Sequence, residues 1–427
     1  MPKLLDWKDN PQKKPIIING ARQVGKTWLL KEFGAKHFKN VAYVNFDNNV
    51  AMNLLFEEGY DIQRLLTGIQ AETGQRIIPG ETLIIFDEIQ ECPKALTSLK
   101  YFRENAPDQM IAAAGSLLGL TVHRGTGYPV GNVVTLDLYP MNFREFLDAI
   151  GHQMLRELID SGDSDASTFS SKIVPLLRQY YFTGGMPEAV AAFVRSGVLD
   201  DARKIQIQIL SDYRRDISKH LSVAEVGYTL AVWDSIPAHL GQENKKFVFG
   251  QIKEGARAKN YRSAITWLAE AGMVTSVRRV SKPGIPLSAY SDESSFKLFA
   301  LDVGLLGALA ELDSSSVISG NEIFEEFKGA LTEQFVCQQL VSDCGLQPFY
   351  WSAENSRGEI DFLVQNEGRI YPIEVKAEEN LRSKSLRAFN EKYPEMNSRR
   401  FSLSGYREES WMRNVPLFAI GNSDIWK

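Results

Sequence analysis

The residues with the clearest chemical potential lie near the start of the chain. Gly20-Ala21-Arg22-Gln23-Val24-Gly25-Lys26-Thr27 matches the eight-residue pattern G-x-x-x-x-G-K-[ST]. In such a loop the glycines let successive backbone N–H groups converge on phosphate oxygens, and the following helix adds the positive end of its dipole. Lys26 is then placed to bridge the β- and γ-phosphates of ATP, and the Thr27 hydroxyl to ligate Mg²⁺. Farther along, Thr82-Leu83-Ile84-Ile85-Phe86 is an apolar run that ends in Asp87-Glu88. An aspartate at that strand end holds magnesium through water, and the adjoining glutamate can polarise an attacking water as general base. Binding alone does not need the second acid, so the pair favours hydrolysis over passive nucleotide capture. Ser116 reads either as a γ-phosphate sensor or as an ordinary turn serine. Arg124 is a candidate arginine finger, which would act in trans and so require an oligomer.

A second cluster lies in the last hundred residues. Gly358-Glu359-Ile360-Asp361-Phe362-Leu363-Val364 reads as a strand entered by acids, and Ile373-Glu374-Val375-Lys376 as another after a turn at Gly368. Alternate residues of a strand share a face, so Glu374 and Lys376 point the same way and Asp361 can join them from the neighbouring strand. Two carboxylates with room for water make an oxygen-ligand site for a second divalent metal, and the lysine can orient or deprotonate a nucleophilic water. This spacing is the pattern of the PD-(D/E)XK nuclease fold, and Glu333, on an amphipathic helical stretch just upstream, supplies a further acid. A solvent-facing ion pair on a hairpin is the competing reading of the same residues.

The elements that must position these groups follow from hydrophobic periodicity. Pro15-Ile16-Ile17-Ile18-Asn19 is a short β-branched strand that runs directly into the phosphate loop, and a helical stretch begins at Trp28. Strands at Val41-Ala42-Tyr43-Val44-Asn45-Phe46, at 82–86 and at 110–114 alternate with helical segments, which predicts a doubly wound parallel sheet with ligand at its C-terminal edge. The acidic stretch 151–171 reads as a flexible connection. Helical patterns then run from about 172 to 221, broken at Thr183-Gly184-Gly185-Met186-Pro187. From 246 to 290, a helix at 247–253, a turn, a helix at 260–271 and strands at 273–280 and 285–290 suggest a winged-helix arrangement. Seven basic residues (Lys253, Arg257, Lys259, Arg262, Arg278, Arg279 and Lys282) face two acids there, Glu254 and Glu270. That excess suits either phosphate-backbone contact or a lid and protein-docking role. The expected class is α/β, in four parts. These are a P-loop ATPase core over 1–150, a helical lid or connector over 151–225, a winged-helix-like unit over 226–310 and an α/β PD-(D/E)XK nuclease-like domain over 320–427.

The whole chain resembles a group of prokaryotic AAA-type ATPases whose C-terminal domain is similar to a PD-(D/E)XK nuclease. The resemblance rests on the residues from Ile18 to Thr27 and on Phe86-Asp87-Glu88-Ile89-Gln90. It also rests on Leu138-Tyr139-Pro140-Met141-Asn142-Phe143-Arg144-Glu145-Phe146, Gly184-Gly185-Met186-Pro187-Glu188 and Asp212-Tyr213-Arg214-Arg215-Asp216, and on the acids around Asp361 and Glu374. It implies nucleotide binding by the P-loop and magnesium binding through Thr27 and Asp87, with no defined substrate. Relatives of this kind carry a short helix ahead of the P-loop strand, and with about fourteen residues available here that cap is expected to be missing.

Composition narrows the function classes. A net charge of -5 over 427 residues is mild, so a nucleic-acid partner would have to meet a local basic patch. Cys92, Cys337 and Cys344 lack C-x-x-C spacing, which argues against a disulfide framework or structural zinc and for a reducing cytoplasm. No run of eighteen apolar residues occurs, which removes membrane spanning. Three functions fit. One is an ATP-driven machine gating a metal-dependent nuclease on DNA. Another is a signalling or defence switch with a non-cleaving C-terminal module. The third is an ATP-dependent oligomer that remodels a protein partner.

Overall fold

The computed structural model describes residues 1–116, 128–162, 165–255, 257–319, 325–353, 358–377 and 383–426. The chain divides into two compact units, Met1–Tyr139 with Glu270–Gly272, and Pro140–Ala269 with Met273–Lys427.

The first unit is a layered α/β domain. Its five strands are β1 (Ile16–Asn19), β2 (Asn40–Asn45), β3 (Thr82–Asp87), β4 (Met110–Ala114) and β5 (Val134–Asp137). They form one sheet in the order β2-β3-β4-β1-β5, and each adjacent pair is parallel. Helices α1 (Pro2–Asp9), α2 (Lys26–His37), α3 (Val50–Glu57), α4 (Ile62–Thr73) and α5 (Pro93–Asn105) cover it. Strand β3 is buried at every position, as a central parallel strand covered on both faces must be. Alternate residues of the strands feed two separate cores. Ile17, Ile84, Phe86 and Ile111 pack with α3, α4 and α5, while Ile16, Ile18, Leu83 and Ile85 pack with Leu4, Leu30 and Phe33. The short N-terminal helix expected to be missing is therefore present. Its Leu4 and Trp7 are buried, and the Trp7 indole donates to the Lys14 carbonyl at 2.7 Å.

The second unit begins with helices α6 (Phe143–Ala149), α7 (Gln153–Asp160), α8 (Asp165–Thr168), α9 (Ser170–Thr183), α10 (Pro187–Ser196), α11 (Leu199–His220), α12 (Val223–Leu240), α13 (Phe249–Ile252) and α14 (Ala258–Glu270). The stretch read as a flexible connection is largely helical. Its acids are not merely solvated, because Asp160 accepts from both Arg144 and Arg156 at 2.9 Å. Strands β6 (Val274–Val280) and β7 (Ser291–Ala300) follow, then α15 (Val303–Leu309), α16 (Ser314–Ser319), α17 (Glu325–Ser342), β8 (Phe349–Ser352), β9 (Glu359–Asn366), β10 (Arg369–Val375), α18 (Lys384–Lys392), β11 (Ser398–Ser402), β12 (Arg407–Glu408) and β13 (Met412–Pro416).

These eight strands make one mixed sheet in the order β12-β13-β11-β10-β9-β8-β6-β7. The hairpin read as a free wing thus belongs to the sheet of the C-terminal segment, through parallel pairing of β6 with β8. Its return strand begins at Ser291, because Pro286 has no N–H for a ladder and 287–290 form a 3-10 turn instead. Likewise the helix expected at 247–253 is reduced to α13. Phe247 is spent on packing, stacked between His239 and Phe296, and its N–H donates to the Phe296 carbonyl at 2.8 Å.

The two signature segments with no evident chemistry, 138–146 and 184–188, meet at Met141 and Gly185 of this unit. The Met141 N–H donates to the Gly185 carbonyl at 2.7 Å, and the buried Tyr180 hydroxyl donates to the Met141 carbonyl at 2.6 Å. Buried Asp302 accepts from the N–H groups of Gly185, Gly304 and Leu305 and from the Gln338 amide. A Cβ at Gly185 would collide with the Met141 carbonyl oxygen, so glycine is required there by space. Cys92, Cys337 and Cys344 are free thiols. Among the described residues no helix is long and apolar enough to cross a membrane.

Candidate functional sites

The phosphate loop connects β1 to α2, as its sequence requires. Gly20 has φ 149° and Gly25 φ 94°, and Gln23 adopts φ 65° between them, so the loop turns through backbone conformations that favour glycine. A side chain at Gly20 would strike the Leu138 carbonyl. Ala21 and Val24 are buried beneath the loop, Arg22 is half-buried and Gln23 is exposed. Lys26 opens α2 and folds back over the loop. Its ammonium donates to the carbonyls of Gly20 at 2.9 Å and Ala21 at 2.7 Å, and to the Ser116 hydroxyl at 3.0 Å. Burial lowers the Lys26 pKa to about 8, although Glu88 and Asp87 pull it the other way.

The Thr27 hydroxyl lies 3.1 and 2.9 Å from the two carboxylate oxygens of Asp87 at the end of β3. That juxtaposition fits Mg²⁺ held by the threonine directly and by the aspartate through water. Glu88 adopts φ 49°, a left-handed conformation that turns the chain out of the strand, and its carboxylate accepts from the Gln90 amide at 2.5 Å. Seven of the sequence-derived positions, Gly20, Ala21, Gly25, Lys26, Thr27, Asp87 and Ser116, are thereby brought to one end of the sheet. Arg124 lies outside the described residues. Sequence reasoning missed Tyr43, whose hydroxyl donates to Asp87 Oδ2 at 2.8 Å from the edge strand β2.

The match to an AAA domain covers residues 12–147. The chain carries an AAA-type P-loop ATPase domain. Beyond it, residues 174–316 and 328–417 each match a domain of unknown function. An uncharacterized protein of Methanocaldococcus jannaschii is 23% identical over 216 residues, 49% of this chain and 43% of that protein. The match therefore spans less than half the length of that relative. A Walker-type ATPase of Pyrococcus abyssi aligns with 72% of this chain and 94% of its own at 13% identity and a TM-score of 0.44. Cdc6p of Pyrobaculum aerophilum aligns with 74% of this chain and 91% of its own at 13% identity and a TM-score of 0.24.

The second unit holds the other predicted cluster. Antiparallel β9 and β10 place Ile373 opposite Phe362, so Asp361 and Glu374 come next along facing strands. Asp361 Oδ2 accepts from the Val375 N–H at 2.7 Å, and Glu374 Oε1 pairs with the Lys376 ammonium at 2.9 Å. Helix α17 brings Glu333 to the same place. Together these four residues line a cavity of 850 Å³, with Lys246 and Arg279 also in its wall.

Two lysines that the sequence did not flag enter this cluster. Lys245 donates to Glu333 Oε1 at 2.6 Å. Lys297, on β7 and 1% exposed, pairs with Glu359 at 2.5 Å and stands 3.9 Å from Glu333. Burial opposes ionisation of Glu333, but Lys245 and Lys297 outweigh it and hold the carboxyl below its ordinary pKa. Burial, then the charge on Glu333, push Asp361 up to about 7. Burial also works against the charge on Lys297, yet Glu333, Glu359 and Asp361 raise its pKa above the usual lysine value.

Among the described residues, Glu333 Oε2 and Glu374 Oε2 are buried with no hydrogen-bond partner. Such oxygens fit a hard divalent cation, which takes one or two carboxylates and completes its shell with water. No three His, Cys, Asp or Glu side chains among the described residues converge closely enough to hold a metal ion by themselves. Any cation here would share the cavity with lysine ammonium groups.

Proposed function

We propose that the protein is a Mg²⁺-dependent ATP hydrolase whose nucleotide state controls a phosphodiester-cleaving site in the C-terminal cavity, with DNA as substrate. Lys26 and the loop N–H groups would hold the triphosphate, and Thr27 and Asp87 the magnesium. Glu88 would take a proton from the attacking water, with Ser116 contacting the γ-phosphate. In the cavity, Asp361, Glu374 and Glu333 would hold a second divalent cation, which supplies Lewis-acid polarisation of a phosphoryl oxygen. Lys376 would orient the nucleophilic water, and Arg279 and Lys246 would take the phosphate backbone. A cytoplasmic setting and an oligomer supplying an arginine in trans complete the reading.

The observation that carries it is the meeting of Glu333, Asp361, Glu374 and Lys376 in one cavity with basic side chains in its wall. The test is incubation of wild type and Asp361→Ala with single- and double-stranded DNA and RNA, in Mg²⁺ or Mn²⁺, with and without ATP. Asp361-dependent cutting is the expected result. If no substrate is cut under any condition, the nuclease assignment is lost. A second reading, in which the cavity is a non-cleaving binding module, is favoured by the Lys245–Glu333 pair, which neutralises an acid the metal would use. Under that reading DNA, or a protein partner, would be retained uncut.

A further inference from the structure

We propose that Lys245 holds the place of the divalent cation, so that the segment carrying it closes the C-terminal cavity and metal enters only when that segment withdraws. This inference rests on the metal-dependent reading of the cavity. Lys245 belongs to the connection between α12 and α13, not to the sheet that carries the acids. Four consecutive residues of that connection, Glu243, Asn244, Lys245 and Lys246, line the cavity. Its far end is anchored by Phe247, buried in the stack with His239 and Phe296. Its near end leaves α12 at buried His239 and Leu240, and between the two anchors Gln242, Glu243 and Asn244 are exposed. Lys245 is thus the inward-reaching member of a short, solvent-exposed loop held between two buried anchors.

The two intruding lysines have different standing. Lys297 sits on a strand, is 1% exposed and pairs with Glu359, so it is a permanent counter-charge. Lys245 is 14% exposed on its side chain and reaches the cluster from the loop, so it can leave without unravelling a strand. An ammonium and a divalent cation compete for the same carboxylate oxygens, because each is held there by charge and by oxygen lone pairs. With Lys245 bound to Glu333 Oε1, the remaining buried oxygens, Glu333 Oε2 and Glu374 Oε2, are left without a hydrogen-bond partner among the described residues.

The experiment is isothermal titration of nucleotide-free full-length protein with Mn²⁺, for wild type, Lys245→Met, Lys245→Gln and Lys245→Arg. Asp361→Asn in each background identifies the heat that belongs to this cavity. Thermal unfolding without metal confirms that each variant is folded, and the Gln variant serves if the Met variant is not. Removing the ammonium is expected to tighten Asp361-dependent Mn²⁺ binding by about tenfold or more, and Arg, which keeps the charge, is expected to leave it weak. Unchanged or weaker Mn²⁺ binding by the neutral variants overturns the gate and leaves the metal site standing. If neither wild type nor the neutral variants bind Mn²⁺ through Asp361, the gate and the metal site fall together. Cleavage is not measured, so an inactive nuclease centre does not disturb the result.

Discussion

The Tyr43 hydroxyl and the Asp87 carboxylate are joined by a 2.8 Å hydrogen bond across two neighbouring parallel strands. The bonded oxygen, Oδ2, is also the one that Thr27 Oγ1 approaches at 2.9 Å. Burial, and then the hydrogen bond to Asp87, raise the phenol pKa well above its ordinary value, so Tyr43 stays a donor throughout the accessible pH range. Its role is to fix the orientation of the carboxylate that would hold the magnesium shell.

Replacing Tyr43 with Phe therefore removes an orienting bond without removing a ligand. Such a bond is worth about 1 kcal/mol at a half-buried site, or roughly a fivefold effect. The Mg²⁺ concentration for half-maximal ATPase rate is expected to rise by that factor, while nucleotide binding in EDTA stays as in wild type. An unaltered magnesium requirement in the titration would assign Tyr43 to packing.

Lys26 predicts a pH dependence. Its pKa of about 8 in the free protein means that a growing fraction is neutral above that pH, whereas a bound triphosphate needs the ammonium. Affinity for ATP should then be level below about pH 7 and fall toward tenfold per pH unit well above 8. Near pH 8, binding should take up roughly half a proton, read from calorimetry in buffers of differing ionisation heat. Lys26→Arg, charged throughout, should flatten the profile. Lys26→Ala should weaken binding by roughly 10- to 100-fold through loss of the charged contact. A wild-type affinity that does not move between pH 7 and 10 would contradict a depressed lysine.

The general-base role proposed for Glu88 predicts that binding and turnover separate at this residue. Its backbone turn and the Gln90 amide hold the carboxylate beside Asp87 without making it part of the strand. Glu88→Gln keeps size and hydrogen bonding but cannot accept a proton, so turnover should fall by roughly 10²- to 10⁴-fold with ATP affinity nearly unchanged. Steady-state phosphate release and equilibrium nucleotide titration on one sample decide it. Full hydrolysis by the variant would show that another group activates water.

What the sequence made legible was local. The P-loop is written in eight consecutive residues between a strand and a helix, and Asp87-Glu88 terminates an uninterrupted apolar run, so both could be placed without knowing the fold. Tyr43 could not, because its tie to Asp87 spans 44 residues and depends on which strands are neighbours. Lys245 and Lys297 were invisible for the same reason: a lysine 88 positions from its glutamate carries no pattern. The hairpin at 274–300 has the same local signature whether it is a free wing or the edge of a larger sheet, and only the pairing of β6 with β8 distinguishes them. Acidity misled at 151–171, where the partners Arg144 and Arg156 supply the compensating charge.

Asp302 carries the last prediction. It is a fully buried carboxylate, and its two oxygens collect three backbone N–H groups and the Gln338 amide, tying the Gly185 turn to the first turn of α15 and to α17. Removing the carboxylate strands several buried donors at once, and the penalty for unsatisfied buried groups exceeds the value of the bonds themselves. Asp302→Ala is expected to cost about 3–5 kcal/mol in chemical denaturation. Gly185→Ala should be comparably harmful for a different reason, since its methyl group would occupy the space of the Met141 carbonyl oxygen. Asp302→Asn tests the network specifically. It preserves volume and one acceptor oxygen but turns an amide toward the remaining donors, so a loss near that of Ala means the donors matter and the volume does not. A loss below about 1 kcal/mol for Asp302→Asn would mean that one oxygen suffices to tie the Gly185 turn to α15 and α17.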